Sequence, residues 1–288
     1  MSAPQIGFLP DGRRLHLNHG PIDLIVEAFG ATEEVEAAYR QAAARFPDIL
    51  PTLVFELPKL RAPVAAPRWS PAGPVAARMV DACWPHRAVF VTPMATVAGA
   101  VADEMMAALT VGRTLERAYV NNGGDIALYL TPGAGLTAGL VTDYRLPAID
   151  ATCAIGFDIP VRGIATSGWK GRSHSLGIAD SVTVLARDAA AADVAATLIA
   201  NAVNADHRAI ERVPANELDP DSDLGGRPVT VAVGDLDRDT VEGALEAGAA
   251  AAEAMVRSGL ITAAVLVLRH AFRAAGTVPA GLVGVNAA

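Results

Sequence analysis

Small and polar residues are concentrated between two apolar segments in residues 163–201, which contain Gly163-Ile-Ala-Thr-Ser-Gly168, His174-Ser-Leu-Gly-Ile-Ala-Asp-Ser-Val-Thr-Val-Leu-Ala186 and Asp193-Val-Ala-Ala-Thr197. The β-branched, apolar run 182–186 predicts a buried strand. Asp188 stands where an N-cap belongs, and the alanine-rich residues 189–203 after it predict a helix. We therefore expect the fold to be organised around this strand and this helix.

Asp193 and Thr197 are four residues apart on the predicted helix, so they share one face about a turn apart. A carboxylate and a hydroxyl in that arrangement can both point at one cation or phosphate. The simpler alternative is that Thr197 bonds to the carbonyl of residue 193 while Asp193 faces water. The spacing alone favours the simpler alternative, because Asp-x-x-x-Thr is a common pattern.

A second polar segment lies between apolar runs at 117–120 and 126–130, which predict two strands; it consists of Asn121, Asn122, Gly123, Gly124 and Asp125. Its glycines allow positive φ and a close approach of the backbone to a ligand. Asn-Gly between two strands is also a strong signal for a hairpin turn. Both a ligand loop and a plain turn are open at this point.

These segments together resemble motifs of the FAD:protein FMN transferase (ApbE-like) superfamily, in the order that the family has them. The matching segments are Gly99-Ala-Val-Ala-Asp103, Asn121-Asn-Gly-Gly-Asp125, Thr166-Ser167-Gly168, Ser181-Val-Thr-Val184 and Ala192-Asp-Val-Ala-Ala-Thr197. The resemblance implies that Asp193 and Thr197 help to bind Mg²⁺. It also implies FAD or FMN as a ligand near the Asn121–Asp125 loop. We predict Thr166, Ser167 and Ser175 as further ligand contacts.

The chain departs from the transferases at two places. Residues 95–98 carry no lysine where the family has Gly-Ile-Ala-Lys, and the segment from His174 to Asp180 lacks the family's Pro-x-Thr-Gly. The chain is more similar to a poorly characterised bacterial and archaeal branch, with Phe90-Val-Thr-Pro-Met94 and Asp221-Ser-Asp-Leu-Gly225 among its marks. We therefore expect a T-fold-related, ApbE-like architecture without protein flavinylation.

Two histidines and one aspartate are candidates for acid–base chemistry. His174 and His19 each stand beside glycine or serine at a break between elements, and an imidazole exchanges protons near neutral pH. Each could equally be a solvated loop histidine. Asp180 either caps a turn or joins Asp193 at a metal.

Three functions are compatible with these residues. The first is a Mg²⁺-dependent enzyme acting on a flavin, nucleotide or other anionic molecule. The second is a metal-independent hydrolase or ring-opening enzyme that uses His19 or His174 to activate water. The third is a flavin- or nucleotide-binding protein without chemistry. Transferase and hydrolase activities are both retained as predictions.

The composition favours a compact globular protein. Of 288 residues, 52% are hydrophobic and 19% are charged, which excludes a disordered chain. A net charge of −8 argues against nucleic acid as a partner. The two cysteines, Cys83 and Cys153, fit a reducing cytoplasm, and neither a signal peptide nor a membrane span is expected.

Strand and helix signals alternate irregularly with hairpin turns, so we predict an α+β fold with a mainly antiparallel sheet. We expect one ApbE-like domain over 1–288, with a proline-rich surface connection at 47–73, because proline disfavours helices and central strands. The alanine-rich helix predicted at 239–257 allows close packing, and we take it as a reason to expect a homo-oligomer, with a dimer as the first guess.

Overall fold

The computed structural model describes residues 3–140 and 151–278. Residue contacts group the chain into two compact units, each assembled from three segments. The first unit comprises Met1–Leu136, Gly156–Ala165 and Arg187–Val194, and the second comprises Thr137–Ile155, Thr166–Ala186 and Ala195–Ala288. The organisation of 1–288 as one domain stays a prediction.

The first unit is built on an antiparallel sheet. Its strands follow one another as β1 (Gln5–Phe8), β2 (Leu15–His19), β3 (Ile22–Gly30), β4 (Leu115–Asn122) and β5 (Asp125–Leu130). Next along the chain, β6 (Gly135–Leu140) and β7 (Ala151–Gly156) pair with each other, and most of their residues belong to the second unit. Residues 163–164, at the start of β8 (Gly163–Ser167), pair with β5. Asp11-Gly12 between two short runs is a hairpin signal in the sequence, as Asn121–Asp125 is, and both hairpins are confirmed.

Four helices belong to the first unit: α1 (Thr32–Arg45), α2 (Ile49–Leu60), α3 (Pro74–Cys83) and α4 (Val97–Thr110). On α1, Ala38, Tyr39 and Ala42 are buried at the spacing of one helix face. α4 is made largely of small and apolar residues, and it contacts α1, α3, β4 and β5. These contacts place α4 at the centre of the first unit.

The second unit contains β9 (Ser181–Ala186), which is buried along its whole length as predicted. α5 (Ala189–Ala202) begins in the first unit and continues into the second. The remaining elements are β10 (Ile210–Pro214), α6 (Ala215–Leu218), β11 (Pro228–Val233), α7 (Arg238–Arg257), β12 (Ala263–Leu268) and β13 (Ala271–Gly276). β12 pairs antiparallel with β9 and β13, β10 pairs with β11, and α7 packs on β12 and β13.

The α+β class with antiparallel sheets is confirmed, whereas the proline-rich connection was predicted wrongly. α2 occupies residues 49–60 of that segment. Pro51 lies in the first turn of α2, where a backbone N–H would have no hydrogen-bond partner within the helix. Pro58 removes a hydrogen bond of the helix only near its C-terminal end. Only the part after residue 60 is irregular.

The sequence also predicts a short strand at 88–91 and an N-cap for the first helix at Thr32, and both predictions are wrong. Residues 88–91 form no strand, since the hydrogen bond from Val64 N–H to Val91 O does not extend into a ladder. The N-cap of α1 is Ala31 and not Thr32. Among the helices of residues 3–140 and 151–278, none combines the length and hydropathy needed to span a bilayer.

Candidate functional site

The first turns of α4 and α5 lie against each other in the first unit, and Gly99 stands at their contact. A Cβ on Gly99 would lie 2.4 Å from Ala189 O and 2.9 Å from Ala190 N, closer than any side chain tolerates. Thr96 Oγ1 donates a hydrogen bond of 2.6 Å to Ala190 O. Glycine at this position therefore sets the distance between the two helices.

Each of these helices supplies the carboxylate that caps the other. The two oxygens of Asp103 on α4 accept from Ala189 N at 3.0 Å and Ala190 N at 2.8 Å. Asp193 on α5 accepts from Gly99 N at 3.0 Å. The first amides of a helix have no partner within it, and its N-terminus carries a partial positive charge. The reciprocal caps thus join two motifs that are far apart in the sequence.

α5 also has the cap that its own sequence predicts. Asp188 accepts a hydrogen bond of 2.7 Å from Ala191 N, so the predicted N-cap is confirmed. The first residue of the Gly163–Gly168 segment lies directly against this cap, because a Cβ on Gly163 would stand 2.0 Å from the carbonyl of Asp188.

The segment from Asn121 to Asp125 forms the β4–β5 turn beside the start of α4. Asn122 is buried and donates through Nδ2 to Ala98 O at 3.0 Å. Asn121 Oδ1 accepts from Gly124 N at 2.8 Å. Gly123 and Gly124 are exposed, with φ of 64° and 115°. The hairpin interpretation is confirmed, and the turn presents glycine backbone at the surface.

The surroundings of Asp193 and Asp103 disfavour the ionised forms of these two side chains. Burial, followed by the negative charge of Asp125, raises the pKa of Asp193 well above its ordinary value, against the opposing effect of the Gly99 N–H. Burial likewise raises the pKa of Asp103 to about 6, although the two amides of α5 lower it. A cation beside Asp193 would favour its ionised form.

The other metal candidate, Thr197, lies one turn after Asp193 on α5 and is partly buried. Within the described ranges, no group of three or more His, Cys, Asp or Glu side chains is arranged to hold a metal ion. The pairing of Asp193 and Thr197 at a metal remains a prediction.

The three hydroxyl residues predicted to bind a ligand lie in the second unit. Thr166 is exposed on β8 and its Oγ1 is 2.9 Å from Thr183 Oγ1, while Ser167 is partly buried. Ser175 is 4% exposed, and its Oγ accepts from Gly177 N and contacts Asn201 Oδ1 at 3.3 Å. Ser175 is thus engaged in holding its own loop, whereas Thr166 is accessible.

Asp180 is a buried anchor of the second unit. Its carboxylate accepts from Trp169 Nε1 at 3.2 Å, pairs with Lys170 Nζ at 3.0 Å and accepts from the backbone N–H of Arg269. These donors occupy the carboxylate, so the geometry fits the capping alternative better than a metal ligand. Asp180 belongs to the second unit.

The two histidine candidates have opposite environments. His19 is 4% exposed, its ring meets Phe46 edge-on at a centroid distance of 6.2 Å, and its buried Nδ1 has no hydrogen-bond partner among residues 3–140 and 151–278. His174 is exposed in the loop before β9. Of the two, only His174 presents its ring to solvent.

Sequence reasoning did not place three residues that build this site. Asp103 and Thr96 were not candidates, and Gly99 was noted only within a motif. The available signal was Gly99-x-x-x-Asp103 itself, which puts a small residue and an acid on one helix face. The partners on α5 could not be identified, because they are 86 to 94 residues away.

The family model described as "AbpE bacteria" matches residues 6–277 of the chain. A UPF0280 protein of Methanothermobacter thermautotrophicus is 38% identical over 136 residues, covering 46% of this chain and 50% of the relative. A UPF0280 protein of Methanoregula boonei is 38% identical over 139 residues, covering 45% and 54%. The match spans about half the length of these curated relatives.

The fold is similar to that of a solved structure, a mutant of the flavin transferase ApbE from Vibrio cholerae. The TM-score is 0.51 at 12% sequence identity, and the alignment covers 93% of this chain and 98% of the other. At that identity the likeness concerns the fold alone, and it confirms the expected ApbE-like architecture.

Proposed function

The chain belongs to the family described as AbpE bacteria, and from this premise we propose that it is an enzyme acting on an anionic small molecule, a flavin or another nucleotide. The site consists of the first turns of α4 and α5 together with the β4–β5 turn. The observation that carries the proposal is the Asp193 carboxylate, which accepts from Gly99 N at 3.0 Å where the two helices meet and whose pKa is raised by burial and then by the negative charge of Asp125. Such a carboxylate is stabilised when a cation joins it.

Magnesium fits the residues present. Mg²⁺ prefers oxygen ligands, and it commonly takes one or two carboxylates and completes its shell with water and phosphate oxygens. Asp193, with Thr197 and with Asp125 nearby, would hold the ion. When bound, Mg²⁺ neutralises charge that develops on a phosphoryl oxygen.

The remaining roles follow from the surroundings of each residue. Gly123 and Gly124 lack side chains at the surface of the turn, so their backbone can approach a ligand closely. Asn122 holds the turn on α4 through Ala98 O. Thr166 and Ser167 as ligand contacts, and the exposed His174 as the acid–base group, stay predictions, because these residues belong to the second unit.

The hydrolase alternative depends on a histidine that can reach water. The burial of His19 disfavours it for that role, so His174 is the candidate for this activity as well. Transferase and hydrolase chemistry therefore share one proposed acid–base residue.

A homo-oligomer also stays a prediction. It was based on the small residues of α7, and at Gly248 these pack within the chain: a Cβ there would lie 2.3 Å from Val203 Cγ2. Sedimentation can decide the oligomeric state.

Mass spectrometry of the small molecules that co-purify with the protein tests the class of ligand. We expect a phosphate-bearing anion, either a flavin or another nucleotide, released on denaturation in an amount comparable to the protein. A neutral or cationic compound at that stoichiometry would contradict the proposal. Protein of an unrelated fold, purified in the same way, provides the control.

We expect no efficient transfer of FMN from FAD to a threonine of an acceptor peptide. The lysine of the family's Gly-Ile-Ala-Lys segment and the Pro-x-Thr-Gly segment are both missing from this chain. An assay with FAD, Mg²⁺ and a threonine-containing peptide measures covalent flavin, with a flavin transferase as positive control. Robust labelling of the peptide by this chain would show that the missing segments are dispensable.

A further inference from the structure

A cavity of about 770 Å³ opens in the first unit between β1–β3 and α1. Its lining includes Phe8, Phe29 and Tyr39 together with four charged residues: Arg13, Glu27, Glu36 and Arg40. This volume lies within the range of small-molecule sites, roughly 300–1,000 Å³. None of the lining residues belongs to the site proposed above, which uses the opposite end of β3 and β4, where Leu24 pairs with Asn122.

The cavity has a fixed aromatic wall. Phe8 and Tyr39 meet edge to face with centroids 5.7 Å apart. The hydroxyl of Tyr39 donates to Arg13 O at 2.8 Å and accepts from Ala28 N at 3.1 Å, so its polar end is already satisfied. Tyr39 therefore offers its ring to a ligand, and the wall favours an apolar or aromatic body.

An irregularity of β3 shapes the same wall. The register between β3 and β4 shifts between Phe29 and Gly30, and Gly30 has a φ of 150°, which favours glycine. A bulge of this kind bends a strand and re-aims its side chains, and bulges are frequent beside functional sites.

The charges of the cavity are distributed unequally. The side chain of Glu27 is 11% exposed, whereas the side chains of Arg13 and Arg40 are 73% and 69% exposed. Glu27 Oε2 accepts from Tyr119 OH at 3.0 Å, and Oε1 is 3.9 Å from Arg13 Nε, beyond hydrogen-bond distance. Burial, followed by the charge of Glu27, raises the pKa of Tyr119 to about 12, so this hydroxyl stays a donor at neutral pH.

We propose that this cavity is a second ligand site, selective for a small organic cation: an apolar or aromatic amine whose ammonium group bonds to Glu27. The enclosed charge is a carboxylate, and an enclosed charge decides selectivity because it is least screened by water. The side chains of Arg13 and Arg40 are mostly exposed, and Arg40 is paired with the exposed Glu36 at 3.6 Å, so water screens these charges more than it screens Glu27. An ammonium bonded to Glu27 Oε1 would give the carboxylate a second donor besides Tyr119.

Calorimetric titration with three probes of one shape tests the selectivity. Phenethylamine, phenylpropionate and phenylethanol present the same ring with a positive, a negative and a neutral end. We expect phenethylamine to bind at least tenfold more tightly than phenylpropionate, with phenylethanol between them. Equal or tighter binding of phenylpropionate, or no binding of phenethylamine, would overturn the proposal.

Variants locate the binding. Glu27→Gln keeps an acceptor for Tyr119 and should weaken phenethylamine binding at least tenfold, and Arg13→Gln should strengthen it by removing a positive charge. Ala43→Leu fills the cavity from α1 and should abolish binding. It provides an independent test if Glu27→Gln does not fold. Glu33→Gln, an exposed acid of α1 outside the lining, should change nothing. If Glu33→Gln weakens binding as much as Glu27→Gln, general surface charge and not this cavity attracts the amine.

Discussion

Replacement of Gly99 by alanine is expected to lower the free energy of unfolding by more than about 3 kcal/mol, the upper part of the range for overpacking at a site that cannot relax. The added Cβ would stand 2.4 Å from Ala189 O, which is backbone and cannot rotate away. Separation of α4 from α5 would also lengthen the hydrogen bonds that Asp103 and Asp193 accept. Chemical denaturation measures the loss.

Gly243→Ala is the matched control for this substitution. Gly243 lies on the exposed side of α7, and a Cβ placed there would meet no described heavy atom within 4 Å other than its chain neighbours and the local helix backbone. Because glycine destabilises a helix interior by about 1 kcal/mol relative to alanine, this variant should be more stable than the parent chain. If Gly99→Ala behaves like Gly243→Ala, the two helices are not in contact at Gly99.

Asp193→Asn is expected to reduce Mg²⁺ affinity at least tenfold while changing stability by about 1 kcal/mol or less, the usual scale for a single substitution. The amide oxygen can still accept from Gly99 N, so the cap on α4 is kept. The charge that burial and Asp125 disfavour is removed, which offsets the weaker hydrogen bond. Thermal unfolding and a Mg²⁺ titration on the same variant separate the two effects.

Asp239→Asn supplies the control, because Asp239 is an exposed acid in the first turn of α7. It should leave Mg²⁺ affinity unchanged. An Asp193→Asn variant that binds Mg²⁺ normally but melts at a lower temperature would identify Asp193 as a helix cap without a role in metal binding.

The central strand and helix could be predicted because their signals are local. The β-branched run of β9 and the cap at Asp188 each depend on neighbouring residues, and both are confirmed. α2 was missed because proline was weighed by its number and not by its position. Pro51 in a first turn costs little, since the amide it lacks would have no helical partner.

The partners of the candidate site residues, in contrast, could not be predicted from the sequence. The spacing of Asp193 and Thr197 indicated a shared face, but it did not reveal that Gly99 N–H, 94 residues away, holds the carboxylate. The burial of His19 and the three donors around Asp180 likewise arise from tertiary contacts. One sequence specifies which groups are present, whereas their partners depend on how distant segments meet.

The measurement that tests the central claim most directly is the affinity for FAD with and without Mg²⁺, for the parent chain and for Asp193→Asn. The proposed site predicts that Mg²⁺ strengthens FAD binding by the parent chain at least tenfold and has no effect on the variant. FAD binding that ignores Mg²⁺ in the parent chain, or that Mg²⁺ strengthens equally in Asp193→Asn, would contradict a metal-assisted site at α4, α5 and the β4–β5 turn.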